Sequence, residues 1–321
     1  MKALKHRCIS AVITVAALTA IGHGAEKKPP EATAWFLVSS ESAEIRPKPE
    51  EGKKGSFSAG HGALMPSFEV RQSHGKSWTR VRAVNPAKLL PEYGWAESAP
   101  GTSVPIDRYP KDADLLTTLG GAYLDDFTAA NTAIARYVVR RGADEPALVS
   151  FLGSPVMSTS RLQVFFRVQG KMTAGPHIEL PFSEMQSGIT SLEVRDLIGD
   201  GNECILTHEP FTQGPENSGV LMVIRRFERD ELKVLWKGPL EWRNLANYPP
   251  KIGPRQPPEL NIGTPGTVTK GEATFRARGR QTDIVWKGKI EFHAIGREAP
   301  VETLSIEKTV TWDGTKFTLL P

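Results

Sequence analysis

Two groups of residues carry side chains that could do chemistry. The first is the stretch Asp196–Glu203, DLIGDGNE, which puts two aspartates, two glycines and an asparagine into eight residues. Oxygen side chains at alternate positions, with glycine where the backbone turns, are how a loop wraps a hard cation such as calcium. Asp196, Asp200 and Asn202 are the candidate metal ligands. The alternation is broken by Ile198, which has no oxygen, and by Cys204, whose soft sulfur suits calcium poorly. Three side chains fall short of the roughly six to eight oxygens calcium takes, leaving carbonyls and water to supply the rest. The competing reading is a plain turn at Asp200-Gly201, capped by Asp196 accepting backbone N–H bonds. The second group is Trp78, Tyr93 and Trp95. Such rings bury about 150–250 Å² each and keep a polar edge for a ligand, so the three are candidate ligand-binding residues. Equally, they could be the pillars of a small core.

The patterns of common enzymes are missing. His23, His61, His74, His177, His208 and His293 show no metal-ligand spacing. No Gly-x-Ser-x-Gly elbow, phosphate loop or dinucleotide glycine pattern occurs. Cys204 and His208 share a strand face but would stand about 13 Å apart, beyond hydrogen-bond reach. The chain therefore reads as non-enzymatic. A hydrolase is the alternative, and it requires His208, Glu209 and Asp196 to converge.

The elements that must hold these groups follow from charge and periodicity. Lys2, Lys5 and Arg7 precede fourteen uncharged, mostly apolar residues, Cys8 to Ile21. This is the pattern of a secretory signal over residues 1–25, and it implies a periplasmic or secreted protein. Its removal takes the formal charge from +4 to about +1 and leaves Cys204 as the single cysteine. No basic stripe suggests nucleic acid as a partner. No later apolar run is long enough to span a membrane. The 29 glycines and 25 prolines are spread along the chain, which suits many short strands and turns.

From Ala34 to Ile106, short strand-like runs alternate with turn signals. Ala43-Glu44-Ile45-Arg46-Pro47-Lys48-Pro49, then Gly75-Lys76-Ser77-Trp78-Thr79-Arg80-Val81, then Gly94-Trp95-Ala96 succeed one another. This order resembles a bacterial SH3-like domain, with a longer charged segment in place of its usual Gly-Pro-Gly turn. The resemblance implies a small barrel over 34–106 with an aromatic groove for extended peptide, and so a cell-wall peptide or an envelope protein as partner. Residues 107–142 read as a linker and an amphipathic helix. Leu124, Phe127, Ala130, Ile134 and Val138 fall at three- and four-residue steps, and Gly142 stands at the end as a cap. From 143 to 321 the chain reads as β, with clean period-two alternation in its tail, from Ala273 to Trp312. The phrase Val194–Thr207 (VRDLIGDGNECILT) resembles the calcium-type loop of integrin-type propeller repeats, which implies a blade; an intact loop of that type holds calcium, but with Ile198 and Cys204 at ligand positions the loop reads first as a turn and no cofactor is expected. The expected fold is thus mainly β: a small SH3-like barrel, a helix, and a larger antiparallel region built as a partial propeller or a meander. A binding protein is the expected function. A purely structural β scaffold with a degenerate calcium-type loop is the alternative from another class.

Overall fold

The period-two runs form strands, and the chain is mainly β with antiparallel sheets and one short α-helix among the described residues. The structure is a computed structural model. It describes the chain apart from residues 1–30, 51–54, 56, 120–126, 129–131, 155–158, 181–187, 213–215, 229, 246–265, 295–298 and 320–321. The expected signal segment and the Pro-rich stretch 247–265 lie outside the described residues. No described helix is long and apolar enough to cross a membrane.

The first sheet has nine strands. In chain order they are β1 (Ala34–Val38), β4 (Ala63–Ser73), β5 (Lys76–Asn85), β6 (Leu90–Glu97), β7 (Gly101–Pro105), β8 (Ala133–Arg141), β9 (Asp144–Ser154), β10 (Thr159–Val168) and β11 (Lys171–Leu180). A small two-stranded ladder, β2 (Ser42–Ile45) with β3 (Phe57–Gly60), stands beside it. Two hairpins turn on consecutive residues with positive φ, His74-Gly75 and Gln169-Gly170. That is the type I′ geometry whose twist matches that of the flanking strands. Within 34–106 the described strands close no barrel. Instead β4 pairs onward with β8, Ala63 opposite Tyr137 and Leu64 opposite Arg136, so the N-terminal strands and β8–β11 share one sheet. Residues from Ala32 onward form one compact unit.

The second sheet runs β12 (Ser191–Arg195), β13 (Cys204–Thr212), β14 (Asn217–Glu228), β15 (Glu231–Asn244), β16 (Thr267–Arg278), β17 (Gln281–Phe292), β18 (Glu302–Trp312) and β19 (Phe317–Leu319). Every strand pairs with its neighbours in chain order. Over 191–319 this strand order is that of a meander, whereas β9–β11 (144–180) belong to the first sheet, so the region expected as one unit over 143–321 is divided between the two sheets. The sheet curls until β19 lies against β15, enclosing a core of Leu206, Met222, Ile224, Leu235, Ile284 and Val310. Trp286 is fully buried and donates its indole N–H to the Pro239 carbonyl at 2.6 Å.

The helix expected over 123–141 is a correction. Its described second half is strand β8, and the one α-helix, α1 (Asp112–Thr118), lies earlier. The reason is burial on both faces. Ala133, Ala135, Tyr137 and Val139 enter the core between the two sheets, with Leu192, Val194 and Ile205 from the second. Ile134 and Val138 enter a separate core with Trp35, Leu115, Leu116 and Phe127, under α1. A strand covered on both sides is apolar at nearly every position, and three- and four-residue spacings then appear by coincidence. Arg136 is the exception within the run. It is buried, lies over the Trp35 ring at 5.2 Å, and pairs with Asp112, which also holds Arg82 at 2.5 Å. These two guanidiniums hold the Asp112 carboxyl below its usual range, against the opposing effect of burial.

Candidate functional site

Strand β5 alternates strictly. Val81 and Ala83 enter the core between the sheets, which leaves Trp78, Arg80 and Arg82 on the opposite face. In the β5–β6 ladder Trp78 stands opposite Glu97, Arg80 opposite Trp95 and Arg82 opposite Tyr93. All three candidate ligand residues therefore share one face. On the neighbouring strand, a bulge after Ser67 places Glu69 opposite Arg80 and Arg71 opposite Trp78.

The three rings are not equally available. Trp78 is 1% exposed and Trp95 7%, whereas Tyr93 is 43% exposed. Each ring carries an arginine. The guanidinium of Arg46 lies 5.4 Å from the Trp78 ring centre, that of Arg71 lies 5.0 Å from Trp95, and that of Arg80 lies 5.7 Å from Tyr93. At partly exposed sites each such pair contributes about 0.5–1 kcal/mol. Glu69 bridges the outer two cations, 3.2 Å from Arg71 and 3.3 Å from Arg80. Phe68, the bulge residue, packs on Tyr93 with ring centres 5.5 Å apart. The tryptophans are thus pillars under a layer of arginines, and the accessible surface consists of Tyr93, Phe68 and the guanidinium planes. These arginines and Phe68 were not singled out from the sequence. Only Arg80 was readable, from its alternation with Trp78 on β5; Arg46, Arg71 and Phe68 come from other segments.

Gly94 explains the Gly-Trp step. The chain after β2 crosses β6 here, and Arg46 and Trp95 exchange both backbone hydrogen bonds, at 2.9 and 2.7 Å. A Cβ on Gly94 would stand 2.5 Å from Ile45 Cγ2 and 2.9 Å from the Arg46 carbonyl oxygen. Only glycine admits so close a crossing, and the crossing is what lays Arg46 over Trp78.

The loop Asp196–Glu203 joins β12 to β13, and its carboxylates are engaged. Asp196 accepts the N–H groups of Gly199 at 2.7 Å and Gly201 at 3.0 Å, one on each oxygen. Asp200 accepts the Asn202 N–H at 2.9 Å and pairs with Arg226 at 2.9 Å. Asn202 lies against Gly142 and bridges to Arg141 in the backbone ladder. The three candidate ligands are close in sequence, yet they turn toward backbone and arginine. No group of three or more His, Cys, Asp or Glu side chains fit to hold a metal occurs among the described residues. Addition of calcium is accordingly expected to leave the melting temperature unchanged; a rise that grows with calcium concentration would show a bound ion.

The buried carboxylate of this loop is that of Glu203, which in the calcium phrase falls one position off the ninth. Glu203 is 2% exposed. Its carboxylate accepts the Arg140 backbone N–H at 2.7 Å and the Arg140 Nε–H at 2.8 Å, and it lies 3.3 Å from His61 Nε2. Arg140 closes β8 in the first sheet, and His61 sits between β3 and β4. One carboxylate therefore ties the meander's first loop to the other sheet.

The constellation a hydrolase would need is not assembled. His208 and Glu209 are adjacent on β13 and so point to opposite faces. Glu209 is held by Arg225 and Thr207. Asp196 serves its own loop. Burial lowers the His208 pKa and pushes the Cys204 thiol up to about 12. At pH 8 only about one Cys204 in ten thousand would be thiolate. Thiol reagents are expected to label Cys204 in denaturant and leave the folded chain unlabelled, as mass spectrometry would register. No protein-family model, no curated protein and no solved structure matches this chain.

Proposed function

We propose that the protein is an exported, non-enzymatic binding protein that recognises cell-wall peptide or an envelope protein through the arginine-covered aromatic face of β4–β6. The observation that carries this reading is the surface formed by Tyr93, Phe68, Arg71 and Arg80 over the buried Trp78 and Trp95. Planar guanidiniums paired only at the surface can exchange their carboxylate partner for one on a ligand, with two parallel hydrogen bonds. Surface pairs of the kind Glu69 makes are worth about 0–1 kcal/mol, so the exchange costs little. An extended peptide bearing carboxylates, with a side chain resting on Tyr93, is the chemistry that matches.

The test is retention on purified peptidoglycan. Tyr93→Ala combined with Arg71→Ala is expected to reduce retention at least tenfold while melting stays near that of the parent, since both side chains are largely outside the core. Undiminished retention by this variant, or no retention by the parent on either peptidoglycan or an envelope extract, would overturn the reading. Trp78→Ala does not serve here, because it removes a core pillar and tests folding instead of contact.

A further inference from the structure

The outer edge of β6 is open over a short, defined stretch. Trp95 exchanges both backbone hydrogen bonds with Arg46, so its N–H and C=O point away from β5. Backbone direction alternates along a strand, and the β5–β6 ladder has no register shift. The N–H and C=O of Tyr93 and the C=O of Pro91 therefore point outward too. Two residues fit this parity. Ser98, just past the strand, donates its N–H inward to the Ser77 carbonyl at 2.8 Å. Pro91 stands where a proline is tolerated, with its nitrogen turned away from the neighbouring strand. A strand continuing from Arg46 would set Lys48 against Tyr93, but the chain turns off. Pro47 and Pro49 flank Lys48, and the Lys48 carbonyl accepts the Glu50 N–H at 2.9 Å. The outward groups of Pro91 and Tyr93 thus have no strand partner among the described residues, and both residues are exposed. The stretch is closed at one end by Arg46 and at the other by the turn at Leu89, whose φ is +53°.

We infer that this stretch receives the main chain of a short extended peptide, which adds to β6 as a strand in line with Arg46; the inference rests on the peptide-binding reading above. The span from Pro91 to Tyr93 is about 10 Å, room for about three ligand residues. Of the two partners named above, a short cell-wall peptide meets that limit, and the long edge strand of a folded envelope protein does not. In strand addition, main-chain hydrogen bonds supply affinity and alternate side chains supply specificity. The donor and acceptor of Tyr93 and the acceptor of Pro91 supply the first. The second comes from the ligand residue opposite Tyr93, which shares its face of the sheet. That side chain stands beside the Tyr93 ring, over which Arg80 lies at 5.7 Å. A carboxylate there takes the Arg80 guanidinium in place of Glu69, whose contact with Arg80 is 3.3 Å and lies at the surface. The edge thus sets the direction of the peptide, and the aromatic face selects an acidic residue at one position of it.

Amide hydrogen exchange of the whole chain, read residue by residue by NMR with and without soluble fragments of digested peptidoglycan, tests this. The Tyr93 amide is expected to gain about tenfold or more in protection, while those of Glu92 and Gly94, already bonded to β5, stay within about twofold. Retention on intact peptidoglycan gives a second readout. Tyr93→Ala and Tyr93→Pro both remove the ring, but only Tyr93→Pro removes the outward N–H. With similar melting temperatures, Tyr93→Pro is expected to be retained about tenfold more weakly than Tyr93→Ala. The exchange measurement needs no variant, so a Tyr93→Pro chain that fails to fold leaves it intact. Fragments that bind without slowing exchange at Tyr93, or folded variants retained equally, would overturn the strand addition and leave the aromatic face as the site. A parent chain that binds no peptidoglycan would overturn both.

Discussion

Gly199→Ala is expected to lower the free energy of unfolding by about 3–5 kcal/mol, from two costs that add. Gly199 has φ +77°, a left-handed conformation that costs an L-residue about 1–2 kcal/mol. The second cost is steric: a Cβ there would stand 2.0 Å from the carbonyl oxygen of Arg280 and 2.7 Å from its Cβ. Arg280 belongs to the turn between β16 and β17, and that turn cannot simply retreat. Its next residue but one, Thr282, donates its N–H to the Leu197 carbonyl in the same loop at 2.8 Å. Relieving the clash would break that bond, and with it the docking of the meander's first loop on its later strands. Gly201→Ala provides the control. Its φ of +83° is as demanding, yet the nearest atom to its Cβ would be the Gly142 Cα at 3.5 Å. It should lose only the conformational cost, about 1–2 kcal/mol. Urea unfolding of the two variants separates the contributions; equal midpoint shifts would mean that the Arg280 contact carries no weight.

Period two was legible in β16 and β18 because one face of each is more exposed to water than the other. Ala273 and Phe275 alternate with Thr274 and Arg276, and the ladder sets them opposite Trp286 and Ile284. The same rule failed at β8, where two cores cover both faces and the alternation vanishes. Trp78, Tyr93 and Trp95, singled out from their residue types, share one face of the β5–β6 ladder. Sequence could not rank them by exposure, because the arginines that cover the tryptophans come from Arg46 and Arg71, on segments whose crossing depends on long-range pairing. In DLIGDGNE the sequence offered a turn competing with a metal loop, and in the structure Asp196 and Asp200 accept backbone N–H groups of the turn. Set against the calcium phrase, Glu203 could serve only as a stand-in ligand beside Cys204, and its pairing with Arg140 and His61 depends on strands far away in sequence.

Glu203→Ala is expected to cost about 2–4 kcal/mol, and Arg140→Ala no more than about 1. The asymmetry comes from where each partner sits. The Arg140 side chain is 63% exposed, so its attraction to Glu203 is largely screened and its loss is mild. The Glu203 carboxylate is buried, and it is also the acceptor for the Arg140 backbone N–H. Without it that donor, in a part-buried position, loses its acceptor, and an unsatisfied donor costs up to about 1–3 kcal/mol when burial is complete. His61 loses its 3.3 Å partner as well, although its Nδ1 remains 3.0 Å from the Ser40 carbonyl. Two backbone bonds flank the site, from Glu203 N–H to the Arg140 carbonyl at 3.0 Å and from Gly142 N–H to the Gly201 carbonyl at 2.9 Å. They should therefore loosen first. In native-state hydrogen exchange the amides of Glu203 and Gly142 are expected to lose protection in Glu203→Ala while those of β16 and β17 keep theirs. Uniform loss across the chain would instead mark Glu203 as one contributor to global stability among many. A loss confined to this seam would identify it as the clasp between the meander and the sheet that carries the aromatic face.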